Sequence, residues 1–189
     1  MKKLTVLLLL AGFSSCVQVS NDNEEKAEVI VQDLYDYDVE ERISELGIEL
    51  KEAAPPVANY VNSVQAGNLV FMAGKGPTDL DGNLVKGKVG ADLTIEEGYE
   101  AAKLVALAQL SALKAEIGDL NKVVRIVKVL GMVNCTSDFE NQPEVINGFS
   151  DTIVEVFGER GKHARAAVGM GSLPRNIAVE VEMVVEVQE

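Results

Sequence analysis

The sequence predicts a single α+β domain with element order β-β-α-β-α-β-β, two helices covering one face of a mixed sheet. Three observations carry this. Thr94-Ile95-Glu96-Glu97 reads as a capping box and opens a long Ala/Leu-rich run. Residues 123–133 are so dense in Val and Ile that they suit a central strand rather than an edge. Residues 178–187 alternate, with Val179, Val181, Met183, Val185 and Val187 on one side and Glu180, Glu182 and Glu186 on the other.

The elements follow in chain order. Met1-Lys2-Lys3 and the short apolar stretch 4–12 have the form of a signal peptide, too short to span a bilayer as a helix. The stretch ends in Phe13-Ser14-Ser15-Cys16, small residues before a cysteine, as in a bacterial lipobox. The expectation is a lipoprotein signal over 1–16, with Cys16 the lipidated residue, exported to the cell envelope and anchored in the membrane through its lipid alone. An ordinary cleaved signal is the alternative. Residues 17–40 are polar and acidic and read as a tether, leaving 41–189 as the domain. Residues 41–52 could open as a helical turn and end as a strand, before Pro55-Pro56 breaks the chain.

Residues 60–66 and 69–73 are strands joined by Gly67-Asn68, a two-residue hairpin signal. The glycine-rich stretch 74–88 is a loop with several turns. The first long helix runs from Ile95 to Ile117, with Leu104, Leu107, Leu110 and Leu113 expected on its buried stripe and Gly118 ending it. The second spans 139–157, with Pro143 in its first turn and Gly158 after its end. Residues 164–169 form a further strand. The sheet face away from the helices stays partly apolar, which points to a partner subunit.

Composition narrows the function. The 189-residue chain carries a formal charge of −13 and no basic run, which disfavours nucleic-acid binding. Its one histidine, His163, leaves no zinc ligand set and no nucleophile-elbow triad. Gly74-Lys75-Gly76 is neither a phosphate loop nor a dinucleotide fingerprint, so no cofactor is expected. With Cys16 at the lipidation site, Cys135 is left alone in an apolar run and reads as a buried, inert thiol. What stands out is Arg165, opening a strand among small residues. That setting suits either a surface ion pair or a carboxylate clamp, since the guanidinium fork matches both carboxylate oxygens.

From about Ala53 onward the chain resembles the Rid (reactive intermediate deaminase, YjgF-like) family, whose members often carry the name endoribonuclease L-PSP. The likeness lies in Asn59-Tyr60-Val61-Asn62-Ser63, Ala73-Gly74-Lys75-Gly76-Pro77, His163-Ala164-Arg165-Ala166-Ala167-Val168, Leu173-Pro174 and Val179-Glu180-Val181-Glu182. The resemblance implies the chorismate-mutase-like fold and a homotrimer with clefts between subunits. It implies hydrolysis (deamination) of 2-imino and enamino acids to 2-oxo acids and ammonia without metal or cofactor. Arg165 and Glu180 would be catalytic, the first holding the substrate carboxylate and the second positioning water. Tyr60, Gly74, Lys75, Ser150 and Ala167 would line the pocket. Lys75 stands where the family has Gln, Ser150 where it has a helix Asn, and Gly169 where it has Glu. Lys75 could serve as a second cation or lie in solvent. A trimer that binds small carboxylates without catalysis is the alternative reading.

Overall fold

A computed structural model describes residues 34–56 and 58–188. The expected signal, Cys16 and residues 17–33 of the expected tether lie outside the described residues. Among the described residues no helix is long and apolar enough to cross a membrane.

Five strands form one mixed sheet in the order β1-β2-β5-β3-β4. These are β1 (Ser63–Ala66), β2 (Leu69–Lys75), β3 (Val123–Asn134), β4 (Ala164–Met170) and β5 (Val179–Val187). β3 pairs in parallel with β4, and the remaining pairs are antiparallel. The dense Val/Ile strand β3 therefore lies between β5 and β4, as its composition predicts. The hairpin turns at Gly67-Asn68, where Gly67 takes φ +61°.

Helices α2 (Ile95–Ile117) and α3 (Gln142–Phe157) cover one sheet face. The capping box is present in full, the Glu97 amide donating to Thr94 Oγ1 and Glu97 Oε2 accepting from the Thr94 amide. α3 starts at Gln142 rather than 139, because Phe139 closes a turn by donating its amide to the Thr136 carbonyl. The buried face of α2 is rotated from the expected leucine stripe. Ala101, Ala102, Val105, Ala106, Gln109, Leu110 and Leu113 are buried, whereas Leu104 and Leu107 are half-exposed. The physical reason is close approach: α2 meets α3 through Gly98 and Gly148, and small residues let the backbones come together.

The start of the packed chain also differs from the sequence reading. Residues 34–40, assigned to the tether, lie on the domain. Tyr35 donates to the Val123 carbonyl at 2.7 Å, Tyr37 donates to the Val156 carbonyl at 3.0 Å, and Val39 is fully buried. Here acidic residues alternate with apolar ones, so the acidic set faces solvent. A short helix α1 (Val39–Glu45) follows, N-capped by Asp38, whose carboxylate accepts from the Glu40 and Glu41 amides. Residues 48–52 carry no strand, and β1 begins at Ser63 rather than 60, which leaves Tyr60 on an irregular segment.

On the open sheet face Val64, Phe71 and Val168 are 57%, 47% and 38% exposed, which is the uncovered apolar surface the pattern implied.

Gly148 offers the test of the packing. A methyl group there would stand 2.0 Å from the Tyr99 carbonyl oxygen, a backbone atom that cannot rotate away. Gly148→Ala is expected to lower stability by about 3 kcal/mol through overpacking, read as a fall in the urea midpoint. Gly118→Ala, with no atom near its Cβ, should lose less.

Candidate functional site

The predicted residues separate into two groups. The first is built on α3 and β4. Arg165 is partly buried and lies opposite Val129 in the parallel pair, on the helix-covered face. Its Nη1 donates to Asn147 Oδ1 at 3.0 Å and to Ser150 Oγ at 2.9 Å. Asn147 and Ser150 sit three residues apart on α3, so both face the same strand. Nη2 reaches the Pro143 carbonyl at 3.5 Å. Nε–H and one Nη2–H remain, the side-on edge that matches a carboxylate. Among the described residues Arg165 forms no ion pair. Of the two sequence readings, the surface ion pair is not found among the described residues, and the guanidinium is held through Nη1 by two α3 side chains. Ala167, two residues on, lies opposite Gly131 and adds only a methyl group to this wall.

The second group is built on β2, α2 and β5. The β2–β5 register slips between Met72 and Lys75. Gln109 of α2 reaches into the slip, its Nε2 donating to the Ala73 carbonyl at 2.9 Å and the Val181 carbonyl at 2.7 Å. The bulged segment brings Gly74 against Glu180 so closely that a methyl on Gly74 would be 2.3 Å from Glu180 Oε1. That contact explains why a glycine stands there. Burial and then the neighbouring Glu182 raise the Glu180 carboxyl pKa above its ordinary value.

Lys75 donates its Nζ to Asn62 Oδ1, and burial lowers its pKa. Among the described residues it pairs with no carboxylate, and with its Nζ on Asn62 it is not simply solvated. Tyr60, 49% exposed, joins Gly74 and Lys75 along a groove of about 430 Å³. The half-exposed Leu104 and Leu107 and the buried Ser111 of α2 form the far wall. Those leucines lie on the helix face that the sequence reading had assigned to the core.

The two groups do not meet within one chain. Glu180 lies opposite Met132, which belongs to the open sheet face, whereas Arg165 lies opposite Val129 on the other. Two strand spacings across the sheet and three residues along it place them about 10 Å apart in each direction. A carboxylate held by Arg165 cannot present its adjacent carbon to the same chain's Glu180. The loop before α2 is tied down by Lys88, whose Nζ donates to Asn134 Oδ1, Cys135 O and Gly171 O. Cys135 is buried, as expected of a structural thiol. Among the described residues no group of three or more His, Cys, Asp or Glu side chains gathers as a metal site.

Sequence reasoning missed Gln109 and gave no role to Asn147. The first is the one amide in an otherwise Ala/Leu-rich helical stretch. The second stands at i−3 from Ser150, and either irregularity was a usable signal.

Comparison with known proteins agrees with this architecture. Residues 40–187 match the family described as "YjgF/chorismate_mutase-like, putative endoribonuclease". Protein TCP17 of Trypanosoma cruzi is 44% identical over 145 residues, 76% of this chain and 91% of its own. A RutC family protein of Pyrococcus abyssi is 32% identical over 136 residues, covering 71% of this chain and 91% of its own. The crystal structure of protein Atu1372 from Agrobacterium tumefaciens superposes with a TM-score of 0.74 at 42% identity, covering 79% of this chain and 92% of that one. With its family match spanning nearly all of the folded chain, this protein belongs to the YjgF/RutC family.

Proposed function

We propose that this protein hydrolyses 2-imino and enamino acids to 2-oxo acids and ammonia, in clefts that two subunits of a homotrimer complete together. The observation that carries the reading is Arg165, braced by Asn147 and Ser150 with a side-on donor edge left for a carboxylate. The separation of Arg165 from Glu180 supports a shared cleft: Arg165 of one subunit would face Glu180 and Gly74 of the next. The exposed Val64, Phe71 and Val168 supply an apolar surface for that contact.

The chemistry asks little of the protein. A 2-imino acid carries a carboxylate beside an electrophilic C=N carbon. Fixing the carboxylate on Arg165 sets that carbon against a water held by the neighbouring Glu180. The carboxylate takes a proton as water oxygen bonds to C2. It returns that proton to the imine nitrogen, giving a carbinolamine, whose hydroxyl proton then passes through the same carboxylate to the amine as the C–N bond breaks, leaving the 2-oxo acid and ammonia. Lys75 and Tyr60 share a groove with Gly74, which itself lies against Glu180, and would line the pocket from there.

A semicarbazide trap tests this. When 2-iminopropanoate is generated by an amino-acid oxidase, the wild type is expected to suppress semicarbazone formation. Arg165→Ala should weaken suppression about 10²-fold through loss of a charge-assisted pair. Glu180→Gln should cost about 10²-fold or more as a lost general base. Because the Glu180 pKa is raised and the base must be ionised, activity should fall on the acid side, at higher pH than for an exposed Glu. Carboxylate binding that needs Arg165, without turnover by the wild type, would favour the non-catalytic binder instead.

The location forms part of the same proposal. The basic start, the apolar stretch 4–12 and Ser14-Ser15-Cys16 support export and lipidation at Cys16, with the domain on the envelope side of a membrane. In a bacterial host, radiolabelled palmitate should enter the wild type and not Cys16→Ala. Equal labelling of both would contradict lipidation at Cys16.

A further inference from the structure

Behind Arg165 lies a polar chain that the proposed chemistry does not use. His163 Nδ1 is 2.6 Å from the Gly161 carbonyl oxygen. A carbonyl only accepts, so in the neutral ring the hydrogen sits on Nδ1 and Nε2 is an acceptor. Nε2 is 3.0 Å from Ser150 Oγ, which therefore donates its hydroxyl hydrogen to the ring. Ser150 Oγ accepts from Arg165 Nη1 at 2.9 Å. The hydroxyl's single hydrogen is thus turned away from the guanidinium and from anything bound to it.

We propose that His163 is a positioning residue of the Arg165 anion site, acting through Ser150, so that carboxylate binding is coupled to uptake of a proton by the imidazole. Protonation converts Nε2 from acceptor to donor, so the Ser150 hydroxyl no longer gives its hydrogen to the ring and the brace on Arg165 Nη1 changes. It also sets a second cation beside Arg165. This inference rests on reading Arg165 as a carboxylate clamp.

The charges around the ring favour the coupling. Burial opposes the cationic form most strongly, the Gly161 carbonyl favours it in part, and Arg165 on β4 opposes it further, so the pKa lies below its ordinary value. On α3, Asp151 follows Ser150 but accepts from the Tyr99 hydroxyl at 3.0 Å. Lys162, next to the ring in the chain, is exposed and paired with Glu159 at 2.6 Å. On β3, Lys128 lies opposite Ala164 and is exposed. Among the described residues no carboxylate bonds to the ring. A bound carboxylate would be the first anion beside it and would raise its pKa. By linkage the affinity must then rise as pH falls from the bound-state pKa to the free-state pKa, and level off below.

The chain contains a single histidine, so its imidazole NMR signals are unambiguous. The experiment follows them between about pH 5 and 8 in the folded protein, with and without 2-oxobutanoate as the stable carboxylate. The His163 midpoint is expected to rise on binding. For each unit of rise, the affinity for 2-oxobutanoate should gain about tenfold from high to low pH. His163→Gln, which cannot titrate, should flatten that dependence, and Arg165→Ala should abolish binding. A His163 midpoint unmoved by 2-oxobutanoate that binds in an Arg165-dependent way would overturn the coupling and leave the clamp standing. Absence of binding by the wild type at every pH would overturn both. If His163→Gln does not fold, the wild-type titration decides alone.

Discussion

The pleat of the sheet governs everything at the site. Successive side chains of a strand point to opposite faces, and the registers of β3 with β4 and β5 send Arg165 to one face and Glu180 to the other. A one-residue slip in either pair would move a whole apolar set out of the core, so this arrangement cannot relax locally. The consequence is a braced guanidinium and a raised-pKa carboxylate that one chain holds apart. Chemistry that needs both calls for a second copy, which is why the proposed activity and the proposed trimer are one claim.

Each half depends on packing as well as on its own polar contacts. α3 can present Asn147 and Ser150 to Arg165 because Gly131 and Gly148 let it settle onto the sheet and α2. A methyl on Gly131 would meet Ile146 at 2.6 Å, and one on Gly148 the Tyr99 carbonyl at 2.0 Å. On the other side, Gln109 spans the register slip and fixes the segment that puts Gly74 on Glu180. Its Oε1 is buried without a partner, an uncompensated cost tolerated where the backbone must bulge. In both halves a local departure from ideal packing or pairing positions a functional group.

Much of this was legible in the sequence. The strand alternation of residues 179–187, the capping box at Thr94 and the hairpin at Gly67-Asn68 each state a local rule that the fold obeys. On α2 the leucine stripe holds at Leu110 and Leu113 and fails at Leu104 and Leu107, because close helix contact through Gly98 and Gly148 turns the buried face toward the alanines. Residues 34–40 were read as tether because acidic side chains dominate their composition. The alternating Tyr35, Tyr37 and Val39 carried the opposite signal. At the site, Arg165 and Glu180 could be named from the resemblance. Their placement on opposite faces depends on long-range register, which no local pattern contains. His163 was set aside for want of a metal or triad partner, since its link to Ser150 exists only once α3 lies on β4.

The most direct test mixes two inactive subunits. Arg165→Ala and Glu180→Gln trimers would each be dissociated and reassociated together, then assayed for imine hydrolysis. If each cleft takes Arg165 from one subunit and Glu180 from the next, every mixed trimer holds one intact cleft. Random mixing then restores about a quarter of wild-type activity. No recovery, although mixed trimers form and remixed wild type is active, would contradict a site shared between subunits.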